Sequence, residues 1–347
     1  MGLKKNELFS ITLDYFKSYL PLMRKSSPAT IRTYQVALEQ YLDYLKSQNN
    51  VQLYQVTISM MNKKAMSKYL DYLETEMKCS VSTRNHRRAC IRAFLKYAAT
   101  CSIEAAGIWN EIQAVPKAAN ATKPVEYMTI KAVEALISQP DTSTRKGKRD
   151  SFLLLFLYQT GARVQELVDV RICDLSIDTR NVATLHGKGS KTRSIPMREK
   201  LVVHLKKYLV VFHPGVNMYS TDTLFYSIHG QKHTRMTEDN VRKLVKSYGT
   251  QAQEKEPAVP KNVHPHMFRH SIAMHLYQNG VALPLVSQWL GHSRLETTLI
   301  YAYADTEQKR KAIESAIPED STLKAFLNAE RYCVDDDNLI KQLYGLK

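Results

Sequence analysis

Residues His264 to Tyr303 read HPHMFRHSIAMHLYQNGVALPLVSQWLGHSRLETTLIYAY. Pro265 suits the first turn of a helix that begins near His266, because proline has no amide proton to leave unpaired there. Gly280 stops that helix, a second spans about 284 to 289, Gly291-His292 turns the chain, and a third carries Tyr301 and Tyr303. The stretch holds a His-x-x-Arg pair, His266 and Arg269, and a Leu-Gly-His turn, Leu290 to His292. A guanidinium donates two parallel charge-assisted hydrogen bonds to a phosphate, so Arg269 is a candidate phosphate fork. A tyrosine phenol can attack phosphorus, but with a free pKa of about 10 it needs a strongly positive pocket to do so.

Working outward, helical patterns cover 129–139 and 150–160, the second an apolar core helix with the run Phe152 to Tyr158. It ends at Thr160-Gly161-Ala162-Arg163-Val164-Gln165-Glu166, where glycine lets the chain turn and present Arg163 from a rigid base. Short strand signals follow at Val170 to Ile172, Asn181 to His186 and Thr192 to Pro196. Between the last two lies the hairpin loop Gly187-Lys188-Gly189-Ser190-Lys191, which holds a lysine in a turn; it lacks the spacing of a phosphate-binding P-loop, which argues against nucleotide hydrolysis. Helices at 198–212 and 237–250 precede a polar, proline-containing loop from Gln251 to Pro265.

The first third is helical, with segments at 7–20, 28–46, 62–77 and 82–99. In the last, Arg84, Arg88, Arg92 and Lys96 stand four apart as a basic stripe, opposite an apolar face of Ile91, Phe94, Leu95 and Ala98. Such a helix suits a nucleic-acid groove, although a solvated basic face would read the same way. Gly107 to Pro124 reads as the linker to the next domain, and 306–316 and 321–332 as helices of a C-terminal tail.

The 347 residues carry a formal charge of +16, distributed as +8 over residues 1–121, +10 over 122–304 and −2 over 305–347. Two basic blocks suit a polyanion lying between them, since neutralised phosphates release counterions. Cys79, Cys90, Cys101, Cys173 and Cys333 are scattered and odd in number, the pattern of reduced thiols in a cytoplasmic protein. No apolar run is long enough to span a bilayer.

Four separated pieces, Thr-Gly-x-Arg-x-x-Glu at 160–166, the Gly-Lys-Gly hairpin at 187–189, His-x-x-Arg-His at 266–270 and Leu-Gly-His with a tyrosine nine residues after His292, resemble the tyrosine recombinases, the integrase family of phage, Xer-type and transposon enzymes. The resemblance covers about residues 5 to 305. It implies a mainly α fold with a small antiparallel β-sheet: a helical core-binding domain over 1–118 and a catalytic domain over 119–304, together clamping DNA, then a tail over 305–347 that exchanges between subunits. It implies catalytic roles for Arg163, Lys188, His266, Arg269, His292 and the nucleophile Tyr301, with Glu166 supporting the site.

In that reading Arg163 and Arg269 clamp the scissile phosphate, Lys188 protonates the departing 5′ oxygen, His266 assists Tyr301 and His292 donates to phosphate; the sequence does not separate the two histidine roles. Lys191 rivals Lys188, and Tyr303 rivals Tyr301. His270 and His275 read as structural, and the histidines lack a Cys or carboxylate partner at ligand spacing, so no metal is expected; without a P-loop, no ATP is expected either. The resemblance implies site-specific recombination through a 3′-phosphotyrosyl bond and a Holliday junction. It further implies a homotetramer on double-stranded DNA bearing a recombination site, with accessory DNA-bending or element-encoded proteins as further partners. The helical domain comes first, without an arm-binding domain ahead of it, which makes an Xer-like or transposon-like enzyme the expectation rather than an arm-binding phage integrase, and a mobile-element role is favoured because tail and loop exceed a minimal enzyme. The alternatives are Xer-type dimer resolution, type IB topoisomerase-like relaxation and a non-catalytic architectural DNA-binding protein.

Overall fold

The protein is described by a computed structural model covering residues 6–119, 125–177, 180–187, 191–229, 232–292 and 294–304, with 337, 341 and 343–345. It divides into two compact units, Met1–Thr122 and Lys123–Lys347.

The first unit is helical. Helix α1 (Glu7–Asp14) widens into a π-type segment, Tyr15–Met23, followed by α2 (Pro28–Asn49), α3 (Lys63–Thr75), α4 (Val81–Ala98) and α5 (Ile103–Gln113). The starts follow from sequence: Asn6, Ser27, Asn62 and Ser80 each accept a backbone N–H of the first turn, leaving fewer orphan donors. Leu8, Tyr41, Leu45, Tyr69, Leu70, Ile91, Phe94 and Ile112 form its core. Two expectations change here. The segment read as linker from Gly107 begins inside α5, whose Ala105, Ile108 and Ile112 are buried; an apolar spacing of three and four outweighed the glycine.

The basic stripe is not an exposed face. Arg84 is buried and pairs with Glu74 at 3.1 Å, Arg88 donates through Nε to the Val115 carbonyl at 3.0 Å, and Arg92 lies 5.4 Å from the centre of the Trp109 ring. Only Lys96 of the four is fully exposed. The reason is helical geometry. At 3.6 residues per turn, a spacing of four drifts by about 40° per step, so a line that starts at Arg84 beside Ile91 and Leu95 reaches solvent only at Lys96.

The second unit opens with α6 (Ile130–Ile137), α7 (Arg145–Thr160) and α8 (Val164–Asp169). Strands β1 (Leu175–Ser176), β2 (Val182–His186) and β3 (Thr192–Pro196) make a three-stranded antiparallel sheet, with Ala183 opposite Ile195. Helix α9 (Glu199–Phe212) leads to a hairpin of β4 (Tyr226–His229) and β5 (Lys232–Arg235), then to α10 (Glu238–Lys255), α11 (Pro265–Gln278), α12 (Leu283–Leu290) and α13 (Leu299–Ala304). The buried α7 packs on α9 and α11, with Phe152 stacked on Tyr208 at 4.7 Å between ring centres.

The expected strand at Val170 to Ile172 is instead a single bridge from Arg171 to Thr223 and a 3-10 turn over Ile172–Asp174, in which the Asp174 carboxylate caps the Arg171 amide. Helix α10 continues to Lys255, through the start of the segment read as loop, and the β4–β5 hairpin is an addition to the reading. The tail helices placed at 306–316 and 321–332, and Cys333, lie outside the described residues. Among the described residues no helix is long and apolar enough to cross a membrane, and Cys79, Cys90, Cys101 and Cys173 are free thiols.

Candidate active site

Gly161 ends α7 in the left-handed conformation, with φ of +58°, and the chain re-enters a helix two residues later with Arg163 as its cap. Glu166 folds back on that turn. Its Oε2 accepts the Arg163 amide at 2.8 Å, and its Oε1 accepts Arg163 Nη1 at 2.7 Å. From β3, Arg193 donates Nη1 to Oε1 and Nη2 to Oε2, both at 2.7 Å, and Nε to the Trp289 carbonyl at 3.0 Å. Burial alone would raise the Glu166 pKa; the bonds from Arg193 and Arg163 outweigh it and hold the carboxyl below its ordinary value.

Arg269, on the buried face of α11, is 1% exposed. It donates Nη1 to the Gly161 carbonyl at 2.8 Å and Nη2 to the Leu290 carbonyl. Burial, then the charges of Arg163 and Arg193, lower its pKa to about 9, so it stays protonated at neutral pH. The carbonyls left open at the end of α12 thus meet two cations, Arg193 at Trp289 and Arg269 at Leu290, the charge a helix C-terminus favours. Gly291, at φ +62°, then turns the chain into His292, whose Nδ1 shares a 2.9 Å hydrogen bond with Thr298 Oγ1. Burial and the neighbouring Arg269 and Arg163 push the His292 pKa down to about 4.

His266 is exposed in the first turn of α11, its ring edge-to-face with His270 at 4.6 Å. Partial desolvation, then Arg269, His264 and Arg163, lower its pKa. His270 is held near pKa 4 by burial, His266 and Arg269. Its Nδ1 lies 2.9 Å from the Tyr301 hydroxyl in a hydrogen bond. Tyr301 is 1% exposed among Ala273, Met274, Val286 and Leu290; burial raises its pKa to about 12, with Arg269 pulling the other way. Tyr303, by contrast, is 73% exposed.

The fold therefore brings Arg163, Glu166, His266, Arg269, His292 and Tyr301 into one neighbourhood, while Lys188 lies outside the described residues. Arg84, Arg88, Arg92 and Lys96 belong to the other unit. A cleft of about 640 Å³ is lined by Arg163, Lys191, Arg193, Gly291, His292 and Thr297 among others. Among the described residues no three His, Cys, Asp or Glu side chains gather as a metal site.

Two residues escaped the sequence reading. His270, read as structural, is the imidazole that meets Tyr301, the position assigned to His266. The signal was its spacing of four from His266, which puts both on one helix face. Arg193 shares its inward strand parity with the buried Ile195, an unusual place for a guanidinium. His275 is structural, sharing a 2.8 Å hydrogen bond with the Tyr158 hydroxyl.

Residues 126–308 match the family model described as the phage integrase family, and residues 13–101 match the phage integrase N-terminal SAM-like domain. The tyrosine recombinase XerD of Listeria innocua is 30% identical over 293 residues, covering 84% of this chain and 93% of XerD. Among solved structures, the XerH site-specific recombinase in a post-cleavage complex with a palindromic difH substrate is similar, with a TM-score of 0.65, 22% identity and 90% of each chain covered. The Tn1549 transposon integrase in complex with transposon right-end DNA also has a TM-score of 0.65, at 18% identity over 89% of this chain and 98% of that one.

Proposed function

The chain belongs to the phage integrase family of tyrosine recombinases, which makes it a site-specific DNA recombinase, and on that premise we propose that Tyr301 cuts and rejoins duplex DNA through a 3′-phosphotyrosyl bond. The observation that carries the assignment is the mutual field of Arg163, Arg193, Arg269, His266 and His292, of which Arg269 also acts on the Tyr301 phenol, itself hydrogen-bonded to His270.

Arg163 and Arg269 hold the scissile phosphate. Each guanidinium has five N–H donors; Arg269 spends two on carbonyls and Arg163 one on Glu166, so both keep donors for the non-bridging oxygens. His292 adds a donor. The phenol attacks phosphorus and passes its proton to the neutral Nδ1 of His270, with His266 beside that ring; Lys188, which lies between β2 and β3 in the sequence, protonates the 5′ oxygen as the P–O bond breaks. Rejoining reverses these transfers with the 5′ hydroxyl of another strand. Tyr301 is buried, so the proposed attack requires the short helix α13 to move when DNA enters.

The assembly proposed is a homotetramer that exchanges strands through a Holliday junction on two recombination sites, for integration or excision of a mobile element. The chain is divided as core-binding domain 1–118, catalytic domain 119–304 and exchanging tail 305–347. Lys96 is the one exposed member of the α4 line left to meet phosphate.

Covalent trapping tests the chemistry. The pure protein, in chelator, is mixed with nicked duplexes from the DNA flanking its gene and examined for a denaturant-resistant adduct, alongside Tyr301→Phe and Tyr303→Phe. Loss in Tyr301→Phe alone is the expected result. Loss in Tyr303→Phe alone moves the nucleophile, and tight binding without any adduct favours an architectural protein.

A further inference from the structure

We propose that Arg193 is a positioning residue of the strand-cleavage reaction, occupying both oxygens of Glu166 so that Arg163 remains free for phosphate; the inference rests on the recombinase reading of the same site. Glu166 is a single carboxylate, 2% exposed, placed between two guanidiniums. Arg193 takes both its oxygens in a planar fork, with a side chain only 10% exposed. Arg163 takes one guanidinium bond and stays 40% exposed at the cleft.

That division of donors decides where charge is available. A buried carboxylate left with a single cationic partner draws that partner in, since an underpaired buried charge is costly. Without Arg193, Glu166 becomes a competitor of the scissile phosphate for the Arg163 fork. With Arg193 in place, the carboxylate is neutralised from behind, and Arg163 is aimed without being consumed.

The third donor of Arg193 ties this to the opposite wall. Its Nε reaches the Trp289 carbonyl, and its Cδ lies where a side chain at residue 291 would intrude, with a Cβ on Gly291 meeting it at 2.8 Å. One side chain therefore joins β3, the Arg163 turn and the turn that presents His292. Lysine cannot replace it, because an ammonium offers no planar fork.

The test uses the full-length protein, with single-turnover adduct formation on a nicked duplex carrying the sequence it protects from nuclease digestion. Arg193→Gln and Arg193→Lys are expected to bind that duplex within about threefold of wild type and to cleave about 100-fold more slowly, the scale of one misplaced preorganised donor. Two further readouts separate positioning from plain structural damage. Adding Glu166→Gln removes the competitor, so the Arg193→Gln, Glu166→Gln double variant should cleave at least as fast as Arg193→Gln alone, a non-additive pair. A methylphosphonate at the scissile position removes the non-bridging charge that Arg163 serves, so the gap between wild type and Arg193→Lys should narrow by about tenfold or more.

Wild-type cleavage by Arg193→Lys, a double variant slower than Arg193→Gln in proportion to both single losses, or an undiminished gap on methylphosphonate would each overturn the inference. If Arg193→Gln does not fold, the Arg193→Lys comparison on the two duplexes decides alone. Absence of any adduct with the wild-type protein is a different result; it removes the recombinase reading itself, and this inference with it.

Discussion

A phenol that must become a nucleophile is stored here in a place that opposes ionisation: Tyr301 is 1% exposed, with its pKa raised to about 12 by burial. The group against it, His270, is held near pKa 4 and is therefore a neutral base at physiological pH. His270→Asn keeps a polar partner for the hydroxyl but no base, and is expected to slow adduct formation by about 100-fold or more while leaving duplex binding unchanged, as checked by trapping and by mobility shift. Stability should carry the same signature. His270 and His292 titrate near 4 in the folded protein against 6.5 for an ordinary histidine, so the unfolded chain binds more protons between those values. Their contribution is present above about pH 6.5 and is lost as pH falls towards 4. Melting temperature should drop across that window, less steeply in His270→Asn; an equal slope in both proteins would remove His270 as a source. The candidate residues were legible because their motifs fix backbone spacing. Burial was not, since nothing in His-x-x-Arg-His says that the second imidazole, rather than the first, faces the tyrosine.

Among elements, the hairpin Val182–His186 and Thr192–Pro196 and the helices flanking Gly161 and Gly291 were readable locally, because a glycine at positive φ ends a helix and β-branched residues such as Val182, Thr184 and Ile195 favour strands. Helix α5 was not, because Gly107 interrupts its local preference and tertiary packing of Ile108 and Ile112 decides the outcome. The α4 line failed for a related reason, its four-residue spacing drifting from core to solvent. Gly107 itself offers a direct check. It is exposed, its φ is not positive, and a Cβ there meets nothing within 4 Å. Gly107→Ala should therefore stabilise the first unit by about 0.5 to 1 kcal/mol, read as a higher midpoint in urea, because alanine loses less backbone freedom in a helix. A lowered midpoint would mean that this face of α5 is covered.

At the scale of the molecule the charge is divided by function in the proposed scheme. The blocks 1–121 and 122–304 carry +8 and +10, and 305–347 carries −2. Residues 318–347 contain four Lys and Arg against six Asp and Glu, so their deletion makes the remaining chain more positive, not less. On electrostatic grounds alone, the truncated protein should hold a single duplex at least as tightly, with a comparable decline in affinity as salt rises, because that slope counts the phosphates neutralised by the basic blocks. Strand exchange makes a second demand, subunits joined to one another, and there an acidic segment complements a basic neighbour. Deletion of 318–347 should therefore leave one-site binding and Tyr301 adduct formation intact while reducing the joining of two duplexes in one complex, measured by mobility shift with duplexes of two lengths. Full synapsis by the truncated protein would place the subunit contacts within residues 1–317, while loss of single-site binding would show that the tail supports the DNA-binding fold itself.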